Sequence, residues 1–178
     1  MNTLKTILEN IIKIMFDIFI KKPEPKKLPP VEDLHPWLKI AFQELGVSEV
    51  YGKVHNPRII EYHQSTTLKA KTDEIAWCSS FVCWCLETSG YMSTRSAMSK
   101  SYLNYGRKVE KPYPGAIAVF DRGPNKNYGH VGFFLEESND RIKVLGGNQS
   151  NQVSIAWFKK VDLKDLREPT HSQLKQGK

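Results

Sequence analysis

The hydrophobic pattern of this chain changes its period once, and that single change limits the fold class. Up to Gly106, apolar residues recur at the spacing of amphipathic helices, and glycines follow the periodic segments. After Pro114 and Gly115, the pattern becomes short apolar and β-branched runs separated by turn residues, which is typical of strands. Helices followed by a small, sequentially connected antiparallel sheet predict an α+β domain.

The pattern predicts four helices and five strands. Asn56 before Pro57 is a favourable capping pair for the start of the second helix. Trp37, Trp84 and Trp157 are expected to lie in the core. The predicted helices cover residues 37–45, 57–62, 78 to about 90, and 96–105. The predicted strands cover residues 116–120, 129–135, 141–145, 153–158 and, as a last edge strand, 163–167.

The N-terminal residues 2–20 are rich in Ile, Leu, Phe and Met but carry a charge every fourth residue, at Lys5, Glu9, Lys13 and Asp17. These charges disfavour a simple bilayer span, and their alternating signs allow i,i+4 pairs along one face. The segment therefore predicts an amphipathic helix that contacts a membrane surface or packs on the protein. A signal or anchor sequence is the alternative.

The remaining chain divides where its composition changes. Residues 21–34 form a linker rich in Pro and Lys, residues 35–169 a folded domain, and residues 170–178 a polar tail. A chain of 178 residues has room for one domain with its own core, and we expect a monomer.

The formal net charge of +7 predicts an anionic partner: nucleic acid, lipid headgroups or the acidic bacterial cell wall. The lysines concentrate in the linker and the tail rather than along one helix, and no recognition motif is present. Nucleic acid is therefore the disfavoured partner.

Cys78 begins the third predicted helix and is the candidate nucleophile. Peptide dipoles at the N-terminal end of a helix lower the pKa of a thiol, so the sequence predicts a raised thiolate fraction. The alternative is a cysteine packed in the core, which is the usual place of a free cysteine. A zinc site built from Cys78, Cys83, Cys85 and a histidine is disfavoured because Cys83 and Cys85 point to different sides of the helix. With three cysteines in such positions, we expect no structural disulfide.

His130, in the second predicted strand, is the candidate base for Cys78. A three-residue loop at 138–140 would pair Glu137 with Arg141 and would place Asn148 opposite His130. Asn148 is therefore the predicted group that orients the imidazole. A two-residue loop would place Gln149 there instead.

Three motifs, in this order, resemble the CHAP and NlpC-type papain-like cell-wall hydrolases. They are Trp-Cys-Ser-Ser-Phe at residues 77–81, Gly-His-Val-Gly-Phe at residues 129–133 and Leu-Gly-Gly-Asn-Gln at residues 145–149. The resemblance extends over residues 36–169. Many CHAP domains have an acidic residue after the histidine strand, where this chain has Asn148.

This resemblance implies a papain-like α+β domain and an amidase or endopeptidase acting on peptidoglycan without a metal or cofactor. The implied roles are nucleophile for Cys78, base for His130 and orienting group for Asn148. The candidate substrate-binding residues are Trp77, Ser79, Gly129, Gly147 and Gln149.

The resemblance leaves the biological role open among a phage lysin, an antibacterial effector and a housekeeping wall enzyme. The protein would be cytoplasmic until released, or exported to the periplasm or cell wall. An inactive papain-like domain that binds the cell wall is the alternative function.

Overall fold

The computed structural model describes residues 28–123 and 128–175. The predicted amphipathic helix over residues 2–20 lies outside these residues, and the division into domains stays a prediction. Within the described ranges, no helix is both long enough and apolar enough to cross a bilayer.

Among the described residues, three α-helices precede the sheet, and all three were predicted. Asn56 caps the second helix, because its side chain accepts a hydrogen bond from the N–H of Arg58. Gly46 and Gly90, at φ +91° and +88°, follow the first and third helices in the left-handed conformation. The helices are α1 (Pro36–Gln43), α2 (Pro57–Gln64) and α3 (Cys78–Thr88). Short 3-10 helices cover Val31–Asp33, Ser99–Asn104, Lys160–Asp162 and His171–Gln173.

The fourth predicted helix is the 3-10 segment Ser99–Asn104, shorter than the predicted 96–105. The described part of the predicted linker includes a 3-10 turn, and Leu34 at its end is buried. In the predicted tail, Leu174 forms a β-bridge with Tyr91, so the described C-terminal residues pack on the domain.

The sheet is antiparallel, with strand order β1-β6-β2-β3-β4-β5, so the α+β prediction is confirmed. Strands β2 to β5 follow one another as predicted. The last strand, however, is not at an edge: it returns to pair with β2 and is covered by the two-residue β1. The strands are β1 (Arg107–Lys108), β2 (Ile117–Asp121), β3 (Gly129–Glu137), β4 (Arg141–Gly146), β5 (Ser154–Lys159) and β6 (Leu163–Glu168).

Helix α3 is the centre of the larger core, which lies between the helices and one face of the sheet. Its residues 78–86 are all buried, and Phe81 meets Phe133 of β3 edge to face. Trp37 and Trp84 are buried in this core, as predicted. The prediction that Trp157 lies in the core is wrong, because this residue is on the edge strand β5 and is 41% exposed. The ammonium of Lys143 lies 4.9 Å from the centroid of its ring.

The predicted pairing of β3 with β4 is correct at Phe134 but wrong at the loop that connects the two strands. Phe134 lies opposite Val144, as predicted, but Glu137 lies opposite Ile142 instead of Arg141. A bulge between Phe134 and Glu136 absorbs the difference of one residue. The regular ladder ends at Phe133 and Leu145, so the predicted pairing of His130 with Asn148 is not formed.

Candidate active site

Cys78 is the first residue of α3 and lines a cavity of about 300 Å³. Its side chain is nearly buried, with 8% of the residue exposed. The first N–H groups of a helix have no intrahelical partner, so this end of α3 presents donors beside the thiol. The cavity is lined by Ala76, Cys78, Arg122, Tyr128, Gly129 and Asn148.

His130 enters the site from the second position of β3, opposite Phe120 of β2. It is 4% exposed and lines a second cavity of about 310 Å³. Its Nε2 lies 3.1 Å from Oε1 of Gln149. The imidazole is therefore held from the segment that follows β4.

The hydrogen bonds of Gln149 determine which imidazole nitrogen carries the proton. Its amide nitrogen donates to the carbonyl oxygen of Ser154, which can only accept. This fixes the amide oxygen towards His130, and an amide oxygen must receive a proton from Nε2. The neutral imidazole is therefore protonated at Nε2, and the lone pair of Nδ1 is left for a reacting group.

The thiol of Cys78 lies close to the backbone of the strand that carries His130. Gly129 lines the same cavity as Cys78, and the N–H of Val131 hydrogen-bonds to the sulfur. Arg122 and Asn148 each line both cavities, so the two adjoin. Within the part of the chain that the structure describes, no hydrogen bond yet joins Sγ of Cys78 to the imidazole.

Burial controls the protonation of both groups. Desolvation raises the pKa of the Cys78 thiol above its ordinary value, and the lowering effects of the Val131 N–H and the Arg122 charge do not offset it. Desolvation also lowers the pKa of His130 to about 4, although its bond to Gln149 acts in the opposite direction. The N–H groups of Cys78 and Ser79 at the helix end lower the thiol pKa, as predicted, but burial outweighs them, so the predicted rise in thiolate fraction is wrong. The resting pair is thus a neutral thiol and a neutral imidazole.

Asn148 does not make the hydrogen bond that the sequence assigned to it. Strand β4 ends at Gly146. In the turn that follows, Asn148, Ser150 and Asn151 have left-handed backbones, with φ of +55°, +56° and +62°. This left-handed turn directs Gln149 back to the imidazole, while Asn148 faces both cavities.

Residues 70–148 match the family model of the CHAP domain. This segment is similar to the CHAP domain. The resemblance inferred from its motifs is confirmed, and the match includes Cys78 and His130. It covers a little under half of the chain. No curated protein matches the sequence.

The predicted substrate-binding residues of the CHAP domain divide into cavity walls and buried supports. Gly129 lines the cavity of Cys78, and Gln149 lines that of His130. Trp77 and Ser79 are fully buried, so neither can touch a bound substrate as the protein stands. Gly147 is buried against Trp77, and a Cβ there would lie 2.5 Å from the indole. Trp77, Ser79 and Gly147 therefore pack beneath the site and do not line its cavities.

Sequence reasoning missed Arg122 and Tyr128, which follow β2 and precede β3 at the mouth of the site. The signal for them was their place at strand ends beside the histidine strand. Sequence reasoning also assigned no role to Asp73. The buried carboxylate of Asp73 accepts hydrogen bonds from the N–H groups of Val50 and Asn56. Asp73 thus fixes the loop before α2.

No group of three His, Cys, Asp or Glu side chains within residues 28–123 and 128–175 is arranged to hold a metal ion. Cys83 and Cys85 lie away from the site in the core, and Sγ of Cys83 lies 3.2 Å from the hydroxyl of Tyr102.

Proposed function

We propose that this CHAP domain is a cysteine amidase or endopeptidase that cleaves an amide bond of peptidoglycan through a papain-like arrangement. Cys78 is the nucleophile, His130 the base and Gln149 the group that orients it. The main support is the hydrogen bond from the Val131 N–H to the Cys78 sulfur, directly after His130 in the chain, together with the free lone pair on Nδ1 of His130. CHAP domains are typically amidases or peptidases of the cell wall, which agrees with this assignment.

The proposed reaction begins from the neutral pair. Nδ1 of His130 takes the thiol proton as Sγ of Cys78 attacks the carbonyl carbon of the amide. The N–H groups at the start of α3 stabilise the resulting oxyanion. The imidazolium then gives its proton to the leaving amine, and a thioester remains.

Water completes the cycle. Nδ1 of His130 accepts a proton from the water that attacks the thioester, and the second oxyanion collapses to release a carboxylic acid and the sulfur of Cys78. The imidazolium returns its proton to this sulfur, which restores the thiol and the neutral imidazole. Gln149 keeps Nε2 protonated and the ring in place through both steps. The reaction needs no electron donor or acceptor.

The formal charge of +7 supports an anionic polymer as the substrate. We also retain contact of residues 2–20 with a membrane surface as a proposal, because their apolar residues and regularly spaced charges are typical of an amphipathic helix.

Digestion of purified sacculi tests the proposed function. Wild-type protein should release soluble fragments, and mass spectrometry of their new amino and carboxyl ends identifies the bond that is cut. Cys78→Ser should release none, whereas Cys83→Ser should resemble the wild type. Cys83 is a suitable control because its sulfur already lies beside a hydroxyl group. Equal release by the wild type and Cys78→Ser would overturn the proposal. Sedimentation with sacculi but no release by either protein would favour a binding module instead.

A further inference from the structure

We propose that Arg122 forms a subsite for a carboxylate group of the substrate, beside the amide bond that is cut. The inference rests on the proposed function for its substrate, but the presence of an anion subsite next to Cys78 can be measured without any hydrolysis. The expected ligand is a peptide with a free carboxylate near the scissile bond, and the corresponding carboxamide is the disfavoured ligand.

Arg122 is the one charged residue that lines both cavities of the site among the residues that the structure describes. One cavity holds the thiol of Cys78, and the other holds the imidazole of His130. A ligand group that spans the two cavities passes the guanidinium. The positive charge of Arg122 also acts on the pKa of both groups, lowering each of them, which agrees with its position between them.

The backbone of Arg122 is fixed although its side chain is exposed. Asp121 pairs with Gly129 at the end of the β2–β3 ladder, and the N–H of Arg122 donates to the carbonyl oxygen of Tyr128. These bonds hold Arg122 close to Tyr128 and Gly129, the two residues that precede His130. The side chain of Arg122 is exposed and lines both cavities.

The charge of Arg122 has no carboxylate partner within the described ranges. The neighbouring Asp121 is already bound by Lys100 at 2.7 Å and by Lys164 at 2.8 Å. Asp162 lines the second cavity, but it forms no ion pair with Arg122. The guanidinium is therefore available to an external anion.

A guanidinium binds a carboxylate strongly, because two parallel N–H groups can donate to its two oxygens. A carboxamide has only one acceptor oxygen and no charge, so it binds this group more weakly. The subsite thus separates substrates with a free carboxylate from those in which the same group is amidated.

Alkylation of Cys78 by iodoacetate and by iodoacetamide tests the subsite directly. Both reagents attach a CH2 group to the sulfur, but iodoacetate carries a carboxylate where iodoacetamide carries a carboxamide. Because both react with the thiolate, a change in the thiol pKa alters both rates equally and cancels in their ratio. Mass spectrometry of the peptide containing Cys78 gives both rates, and Cys83 and Cys85 are buried.

Arg122→Gln should lower the iodoacetate-to-iodoacetamide ratio about three- to tenfold, and Arg122→Lys should retain part of the preference. High salt should lower the ratio of the wild type in the same direction. Arg141→Gln is the matched control, because it removes the same charge at the opposite end of β4 and should leave the ratio unchanged. An unchanged ratio in Arg122→Gln would overturn the subsite, whatever the outcome of the sacculus assay.

Fragments from the sacculus digest provide the second measurement. Stem peptides that differ only in a carboxylate or a carboxamide next to the cleaved bond should be cut with a preference for the carboxylate. Arg122→Gln should reduce that preference about tenfold or more. An equal preference in wild type and Arg122→Gln would show that the charge does not select the substrate and would overturn the proposal.

Discussion

The imidazole of His130 lies flat against the ring of Phe158, with ring centroids 4.8 Å apart and planes 12° from parallel. Phe158 in turn stacks on Phe120, so aromatic rings cover one face of the His130 imidazole. This packing excludes water from the imidazole and disfavours the imidazolium, which is the main reason that the pKa of His130 falls to about 4.

Removing the ring of Phe158 should therefore raise the pKa of His130. In Phe158→Ala, we expect the acid limb of kcat/KM to move from near pH 4 towards pH 6.5, because water again reaches the imidazole. NMR titration of the His130 ring protons measures the same shift without a substrate. Trp157→Ala is the control, since Trp157 lies on the other face of β5. An unchanged pKa in Phe158→Ala would contradict this explanation.

The folding stability should fall as the pH decreases from about 6.5 to 4. The pKa of His130 is lower in the folded protein than in the unfolded chain, so the unfolded chain binds more protons in this range. The loss due to His130 is about 3 kcal/mol. Urea unfolding at several pH values should show a weaker pH dependence for His130→Gln. Some dependence should remain, because burial also lowers the pKa values of His35 and His63. Equal slopes for the two proteins would contradict the prediction.

The reactivity of Cys78 should increase with pH well beyond neutrality. Burial raises the pKa of its thiol, so only a small fraction is thiolate at pH 7. The rate of alkylation by iodoacetamide, followed by mass spectrometry, should rise continuously from pH 6 to 9. A plateau that begins below pH 7 would instead indicate a stable thiolate–imidazolium pair.

Gln149 should matter more to the reaction than Asn148. Gln149→Ala removes the acceptor of the His130 Nε2 proton and should lower kcat about 10- to 100-fold. Asn148→Gly retains the left-handed backbone at φ +55° and removes only the side chain that faces the cavities, so a smaller decrease is expected. If Asn148→Gly is the more damaging change, the original assignment of Asn148 as the orienting group is correct.

Gly147 should not tolerate a side chain. The Cβ of Gly147→Ala would lie 2.5 Å from the indole of Trp77 and 2.7 Å from Cβ of Phe81, both of which are fully buried. The free energy of unfolding should decrease by about 1–3 kcal/mol, as for other overpacked cores. Chemical denaturation measures this decrease, and wild-type stability in Gly147→Ala would show that Trp77 can move away.

Much of the fold could be predicted because its signals are local. The cap at Asn56 and the glycines after α1 and α3 mark helix ends within a few residues of sequence. The return of β6 to β2 could not be predicted, because strand pairing between distant segments depends on the whole sheet. The exposed Trp157 was missed for the same reason, since only the strand order shows that β5 is an edge.

The sequence by itself indicated the resemblance to the CHAP domain, the helices before the sheet, and Cys78 and His130 as candidate site residues, because motifs and periodicity are properties of neighbouring residues. Tertiary structure decided the rest of the site. A run of left-handed residues, not a strand register, brings Gln149 to the imidazole. The protonation of the pair also depends on tertiary structure, because the exclusion of water by surrounding side chains outweighs the position of Cys78 at a helix end.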